Sequence, residues 1–160
     1  MDWSIREATI ADYDALNALF AQVDRIHYIA LPDIFRPVPG PARDRGYIED
    51  VLSNPHARIF IAERDTEVIG LAEADIRDSA HWPTAVPHSW VYIDDIIVDE
   101  RFRGTGIGSA LLAHIEDWAR TLGITQIELT VWEFNTSARA MYERREFRTL
   151  NRQMYKDLGG

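Results

Sequence analysis

No cysteine occurs anywhere in the chain, so disulfides, thiolate metal sites and cysteine nucleophiles are excluded together. That absence fits a reducing compartment, and the cytoplasm is the expected location. Long apolar runs are missing too. No window approaches the roughly 18 consecutive apolar residues of a membrane-spanning helix. Met1 to Arg6 mixes acid and base without an apolar stretch, which does not read as a signal peptide. Basic residues are in deficit, 17 against 26 acidic ones, for a net charge of −9. A surface of that sign disfavours tracking along phosphates, so no nucleic-acid partner is expected. It would draw cationic partners, although solubility alone also explains an acidic surface. The histidines, His27, His56, His81, His88 and His114, form no i, i+4 pair and have no acidic partner at ligand spacing. No metal site is expected from them.

What is present is a core. The 160 residues are 46% hydrophobic and 11% aromatic, enough for one domain over 1–160 that folds without staples. Ile5 to Ala8 reads as a short strand, followed by Thr9 as a helix N-cap with Asp12 three residues on. Leu16, Leu19, Phe20 and Val23 recur at i, i+3, i+4, i+7, one face of an amphipathic helix. Four prolines between Leu31 and Pro41 argue against regular structure there. Tyr47, Ile48, Val51 and Leu52 give a second helical face, closed before Asn54-Pro55. Arg58 to Glu63 and Glu67 to Ile76 read as a hairpin with a polar turn. Arg77 to Pro87 is a loop, and Trp90 to Val98 is a strand rich in aromatic and β-branched residues. A glycine-rich turn then opens a helix carrying Leu111, Leu112, Ile115, Trp118, Ala119 and Leu122 on one side, with Gly123 at its C′ position. Strand Gln126 to Trp132, helix Thr136 to Arg145 and strand Phe147 to Lys156 complete the order. The pattern describes one α/β domain with a mixed sheet.

Gly104, Gly106 and Gly108 sit at alternate positions between a strand and a helix. Lacking Cβ atoms, they let backbone approach a ligand closely and adopt positive φ. The following helix offers unpaired N–H groups and the positive end of its dipole, which together make a phosphate cradle. Arg103 can add a charge-assisted contact. A turn that merely reverses the chain would carry similar glycines. No lysine follows the last glycine, so the P-loop is excluded. The spacing is G-x-G-x-G, and no βαβ unit with an acidic residue about 20 positions on supports a dinucleotide fingerprint.

Arg103-Gly104-Thr105-Gly106-Ile107-Gly108 resembles the acetyl-coenzyme A pyrophosphate motif of the GNAT acetyltransferases, Arg/Gln-x-x-Gly-x-Gly/Ala. Tyr92 to Val98 is similar to that family's fourth strand. Asn135-Thr136-Ser137-Ala138-Arg139-Ala140-Met141-Tyr142 resembles its Asn-x-x-Ala-x-x-x-Tyr segment. The three occur in order, and the succession of elements matches along about the whole chain. The resemblance implies a single-domain fold with a mixed, mostly antiparallel sheet and helices on both faces. It further implies acetyl-coenzyme A as acyl donor and a homodimer. The cofactor would lie along the backbone of Ile96, Ile97 and Val98, over Arg103, Gly104, Thr105, Gly106, Ile107, Gly108 and Ser109, and against Asn135 and Ala138. One departure stands out: Glu146-Phe147 replaces the family's Gly-Phe after the last helix, which implies a different helix end.

Acetyl transfer to an amine needs a deprotonated nitrogen, a polarised thioester carbonyl and a proton for the departing thiolate. By resemblance Tyr142 supplies that proton. A tyrosine beside Ala138 and Met141 on an apolar helix face could equally be core. Asp94 matches a position where some family members hold a carboxylate proposed as base. It could instead accept backbone N–H groups at a strand irregularity. Asp95, next along the strand, is expected on the opposite face with a role in stability. Trp82, Trp90 and Tyr28 could wall a cationic amine, or pack in the core. The expected acceptor is a primary amine on a small cationic metabolite. A protein N-terminus or lysine, or a non-catalytic acyl-coenzyme A sensor, are the alternatives.

Overall fold

The computed structural model describes residues 2–159. These divide into two compact units, one running to Thr130 and the other beginning at Val131. The first holds a five-stranded sheet in the order β1-β2-β3-β4-β5, formed by Ser4–Glu7, Ala57–Arg64, Glu67–Asp78, Ser89–Val98 and Ile127–Leu129. The first four strands pair antiparallel, while β5 runs parallel to β4. The sheet is therefore mixed and mostly antiparallel.

Hairpin β2–β3 turns on two residues, Asp65 and Thr66, at φ 48° and 72°. Two left-handed residues match the twist of the flanking strands, as a type I′ turn requires. Parallel neighbours need a long crossover, and here helix α3, Ile107–Thr121, provides it between β4 and β5. These elements form a βαβ unit, whose glycine spacing differs from the dinucleotide fingerprint.

Helices lie on both faces of the sheet. On one, α1 (Tyr13–Ala30) and α2 (Arg45–Ser53) bury Leu16, Leu19, Phe20 and Ile48 against Ile59, Ile61, Leu71 and Ile97. Each such side chain contributes roughly 1.5–3 kcal/mol by leaving water. The Asp44 carboxylate caps α2, accepting from the Tyr47 N–H at 2.8 Å. On the other face, α3 buries Leu111, Leu112, Ile115 and Ala119, and Phe60 meets the His114 ring edge-on at 4.6 Å. Gly70 allows that approach, since a Cβ there would stand 3.0 Å from the Ile97 carbonyl and 3.2 Å from Ile107. Gly123, at φ 71°, ends α3 as its position suggested, with the Ile124 N–H donating to the Ala119 carbonyl at 3.0 Å.

Two strand assignments need correction. β5 is shorter than Gln126 to Trp132, and Phe147 to Lys156 forms no strand at all. The latter segment carries strand-forming residues, but a strand exists only with a ladder partner, and the second unit contains no other strand. Leu150, Met154 and Tyr155 are accordingly exposed.

In the second unit, α4 spans Thr136–Arg144. The Asn135 side chain caps it by accepting from the Ala138 N–H at 3.2 Å. The helix end also departs from expectation. Glu146 adopts φ 66°, and the Phe147 N–H donates to the Tyr142 carbonyl at 3.0 Å. This is the left-handed cap that glycine usually fills, built with a residue that has a Cβ. Glu146→Gly should relieve about 1 kcal/mol of backbone strain. In a chain of this size that raises Tm by roughly 3 °C, checked by calorimetry. An unchanged or lowered Tm would show that the Glu146 side chain contributes something its strain conceals.

Among the described residues no helix is long and apolar enough to cross a membrane, and no cluster of three metal-ligating side chains occurs.

Candidate active site

The site is built where β4 loses its neighbour. β5 pairs with β4 only from Val91 to Ile93. From Asp94 to Val98, β4 has β3 on one side and, among the described residues, no strand on the other, so a row of backbone groups is left to bond something else. Ile96, Ile97 and Val98, singled out in sequence, lie on this stretch. An extended chain could add along it as a further strand would.

At the end of that edge stands the glycine turn. Gly104 and Gly106 sit at φ 77° and 92°, and neither has a heavy atom within 4 Å of where a Cβ would be. Gly106 is the N-cap of α3 and has no side chain to satisfy the first-turn N–H groups. Ile107 anchors the turn by burying its side chain, while Gly108 and Ser109 carry the first helical turn partly open to solvent. Thr105 Oγ1 donates to the Phe102 carbonyl at 2.6 Å, and Arg103 Nε donates to the Val98 carbonyl at 3.2 Å. Arg103, itself exposed, thereby ties the turn to the open edge. Open space, bare N–H groups and a helix dipole suit a pyrophosphate. Gly106→Val should weaken acetyl-coenzyme A binding on the order of 10²-fold, about 2.8 kcal/mol at 1.4 per decade. A β-branched residue strains at φ 92° and fills the cradle. Unchanged calorimetric affinity in a folded Gly106→Val protein would remove the turn from the binding site.

The α1/α2 face of the same strands carries the charge. A bulge falls in β4, since Glu73 pairs with Asp95 but Ala74 pairs with Ile93, leaving Asp94 as the extra residue. Asp94 and Asp95 therefore share a face, contrary to the expectation of opposite faces. Asp95 continues the row of Ile97, and Asp94 reaches Arg77, which alternates with Asp75 and Glu73 on β3. The Arg77 guanidinium donates to Asp75 Oδ1 at 2.8 Å and Asp94 Oδ1 at 2.9 Å, and lies 3.6 Å over the Tyr92 ring. Burial and the Asp75 charge push the Asp94 carboxyl up, against the pull of Arg77.

Glu73 and Arg43, which sequence reading passed over, and Tyr47, read there only as part of a helical face, complete this face. Glu73 is 4% exposed. Its Oε1 accepts from the Tyr47 hydroxyl at 2.6 Å, and its Oε2 is buried with no hydrogen-bond partner. Arg43, ahead of α2, pairs with Asp24 of α1 at 3.0 Å and stacks 4.6 Å over Phe20. The signal for Glu73 was a lone carboxylate in the apolar run Leu71 to Ala74, in phase with Leu71. Burial, and then the charge of Glu73, push Asp95 up to about 7, with Arg43 opposing. Burial likewise raises Glu73 and the Tyr47 phenol.

Trp82 and Trp90 line one depression with Arg77, Asp78 and His81, while Tyr28 sits on α1 and does not line it. His88 stacks on Trp90 at 5.1 Å. Asn135, Ala138 and Tyr142 belong to the second unit. There the Tyr142 ring, half-buried, packs on Phe147 with centroids 5.6 Å apart.

A splayed mixed sheet with a glycine-turn helix N-terminus defines a class of acyl-coenzyme A-dependent transferases. The sequence model of the Acetyltransferase (GNAT) family matches residues 23–147, and the chain belongs to that family. An aminoglycoside N(6')-acetyltransferase type 1 of Serratia marcescens is 26% identical over 120 residues, covering 74% of this chain and 75% of the relative. A tetramutant of the BH1408 protein from Bacillus halodurans superposes with a TM-score of 0.91 at 28% identity, covering 97% of this chain and 99% of that one. An aminoglycoside N-acetyltransferase crystallised with coenzyme A has a TM-score of 0.74 at 22% identity, covering 97% and 93%. The last likeness concerns the fold alone. The chain is an N-acetyltransferase by family.

Proposed function

We propose that this protein transfers an acetyl group from acetyl-coenzyme A to a primary amine of a small cationic metabolite, by direct attack in a ternary complex. The observation that carries this reading is the meeting of the open β4 edge and glycine turn with a sheet face bearing Glu73, Asp75, Asp94 and Asp95. Among the described residues, Arg43 and Arg77 are the cations that offset those carboxylates. A thioester laid along the edge presents its carbonyl to backbone N–H donors, and an ammonium on the acidic face is drawn toward it. Aminoglycosides, the acceptors named for two of the related proteins, are polycations and suit such a face.

In this reading the Ile96–Val98 backbone holds the pantetheine arm, and residues 103–109 hold the pyrophosphate. Family resemblance alone assigns Asn135 and Ala138 to cofactor binding and Tyr142 to protonating the leaving sulfur. Asp94 is the sequence-level candidate for base, but its pairing with Arg77 suits it better to orienting the acceptor. One catalytic domain, a cytoplasmic location and a homodimer accompany this reading through family resemblance.

Thiol release from acetyl-coenzyme A, followed with a thiol-reactive dye across a panel of primary amines, tests the proposal. Release should depend on the amine and favour those with two or more cationic groups. Equal rates for neutral monoamines and polycations would overturn the acceptor class.

A further inference from the structure

Within the acetyl-transfer reading proposed above, we infer that Glu73 and Asp95 act as one proton-accepting unit, in which Asp95 takes the proton of the acceptor's ammonium and Glu73 is the positioning residue that tunes it. The two residues are direct cross-strand partners in the β3–β4 ladder. They project from the α1/α2 face, and directly opposed side chains of an antiparallel pair are near neighbours. Glu73 is held rigidly by the Tyr47 hydroxyl through one oxygen, and its other oxygen is buried without a partner. A buried carboxylate oxygen without a donor is costly unless a proton or a cation visits it. The bulge at Asp94 gives Arg77 a different carboxylate to hold.

The surrounding charges favour one proton on the pair. Asp94 and Asp75 on the sheet, and Asp24 on α1, raise the carboxyls. Arg43 ahead of α2 opposes them, and the Tyr47 hydroxyl bond favours ionised Glu73. Two like charges on adjacent buried carboxyls repel, so the doubly ionised pair is a stronger base than either residue alone. In the step itself an ammonium N–H bond breaks and its electron pair stays on nitrogen. The proton lands on Asp95, taking the pair from a charge of −2 to −1. The neutral amine is then free to attack the thioester carbonyl.

Carbon-13 titration of the side-chain carboxyls in the full chain tests the pair without any acceptor. Asp95 should titrate near neutrality in wild type, and its midpoint should fall by about one to two pH units in Glu73→Gln. Because coupling is reciprocal, the Glu73 midpoint should fall equally in Asp95→Asn, which covers the case of a poorly folded Glu73→Gln. An Asp95 midpoint unmoved by Glu73→Gln, or a Glu73 midpoint unmoved by Asp95→Asn, would overturn the pairing. Turnover with spermidine, kanamycin and lysine supplies the second arm. Asp95→Asn should lose roughly 10²-fold or more at neutral pH, and the acidic limb of the Glu73→Gln profile should move to lower pH. Full activity in Asp95→Asn would end its role as base. A wild type inert toward all three amines would instead count against the acetyl-transfer reading, leaving the titration to judge the pair.

Discussion

Tyr142→Phe should lower turnover by roughly 10²–10⁴ while leaving the affinity for acetyl-coenzyme A near that of wild type. The substitution removes one oxygen and keeps the ring that packs on Phe147. A group that protonates the departing thiolate acts in the transition state, so its loss appears in kcat and not in binding. A tyrosine with only a packing role predicts the reverse pattern, with turnover preserved and stability close to that of wild type. Both quantities can be read on one purified sample. Turnover within about threefold of wild type would dismiss Tyr142 as the acid, since ~0.65 kcal/mol is too small for that role.

Asp95→Asn should separate stability from activity in the opposite direction. The native state holds the Asp95 proton up to about 7, whereas a free carboxyl releases it near 3.8. Between those values the folded protein binds the additional proton, so wild-type stability falls as pH rises through this window. Well below 3.8 the acid is protonated in both states, and at pH 4 the difference is still small, so asparagine should confer little there. At pH 8 the buried charge is fully present, and its removal should stabilise by up to about 4 kcal/mol, at 1.36 per pH unit. Thermal melts of both proteins at pH 4 and pH 8 check this. A Tm difference of the same size and sign at both pH values would show that Asp95 is not held above its ordinary range. The expected outcome is a more stable and less active enzyme, the usual mark of a strained catalytic carboxylate.

The glycine turn and the helix after it were legible because their signals are local. The alternate glycines Gly104, Gly106 and Gly108 announce a backbone free to take positive φ, as Gly104 and Gly106 do, and the phase of Leu111, Leu112 and Ile115 announces the helix that follows. Gly123 and the Asp65-Thr66 turn were legible for the same reason. The acidic sheet face was not, because it depends on register. One extra residue in β4 places Asp94 and Asp95 on the same face, and no property of either aspartate shows a bulge beforehand. Glu73 acquires its meaning only from the residue opposite it and from Tyr47 on another element. The last strand failed for a related reason, since residues from Phe147 onward have strand propensity but no partner in their unit. Glu146 shows the converse: backbone geometry imposed a left-handed cap where the side chain argued against one.

The central claim is that the acetyl group of acetyl-coenzyme A ends on the nitrogen of a small cationic amine. Acetyl-coenzyme A labelled with carbon-13 in the acetyl group, incubated with the protein and an amine panel, tests that claim directly by carbon NMR. The account predicts that the thioester carbonyl signal is replaced by an amide signal, at a rate that depends on the amine and on the protein, with one thiol released per amide formed. A protein that binds the labelled cofactor but leaves the thioester signal unchanged with every amine, or converts it only to free acetate, would contradict it.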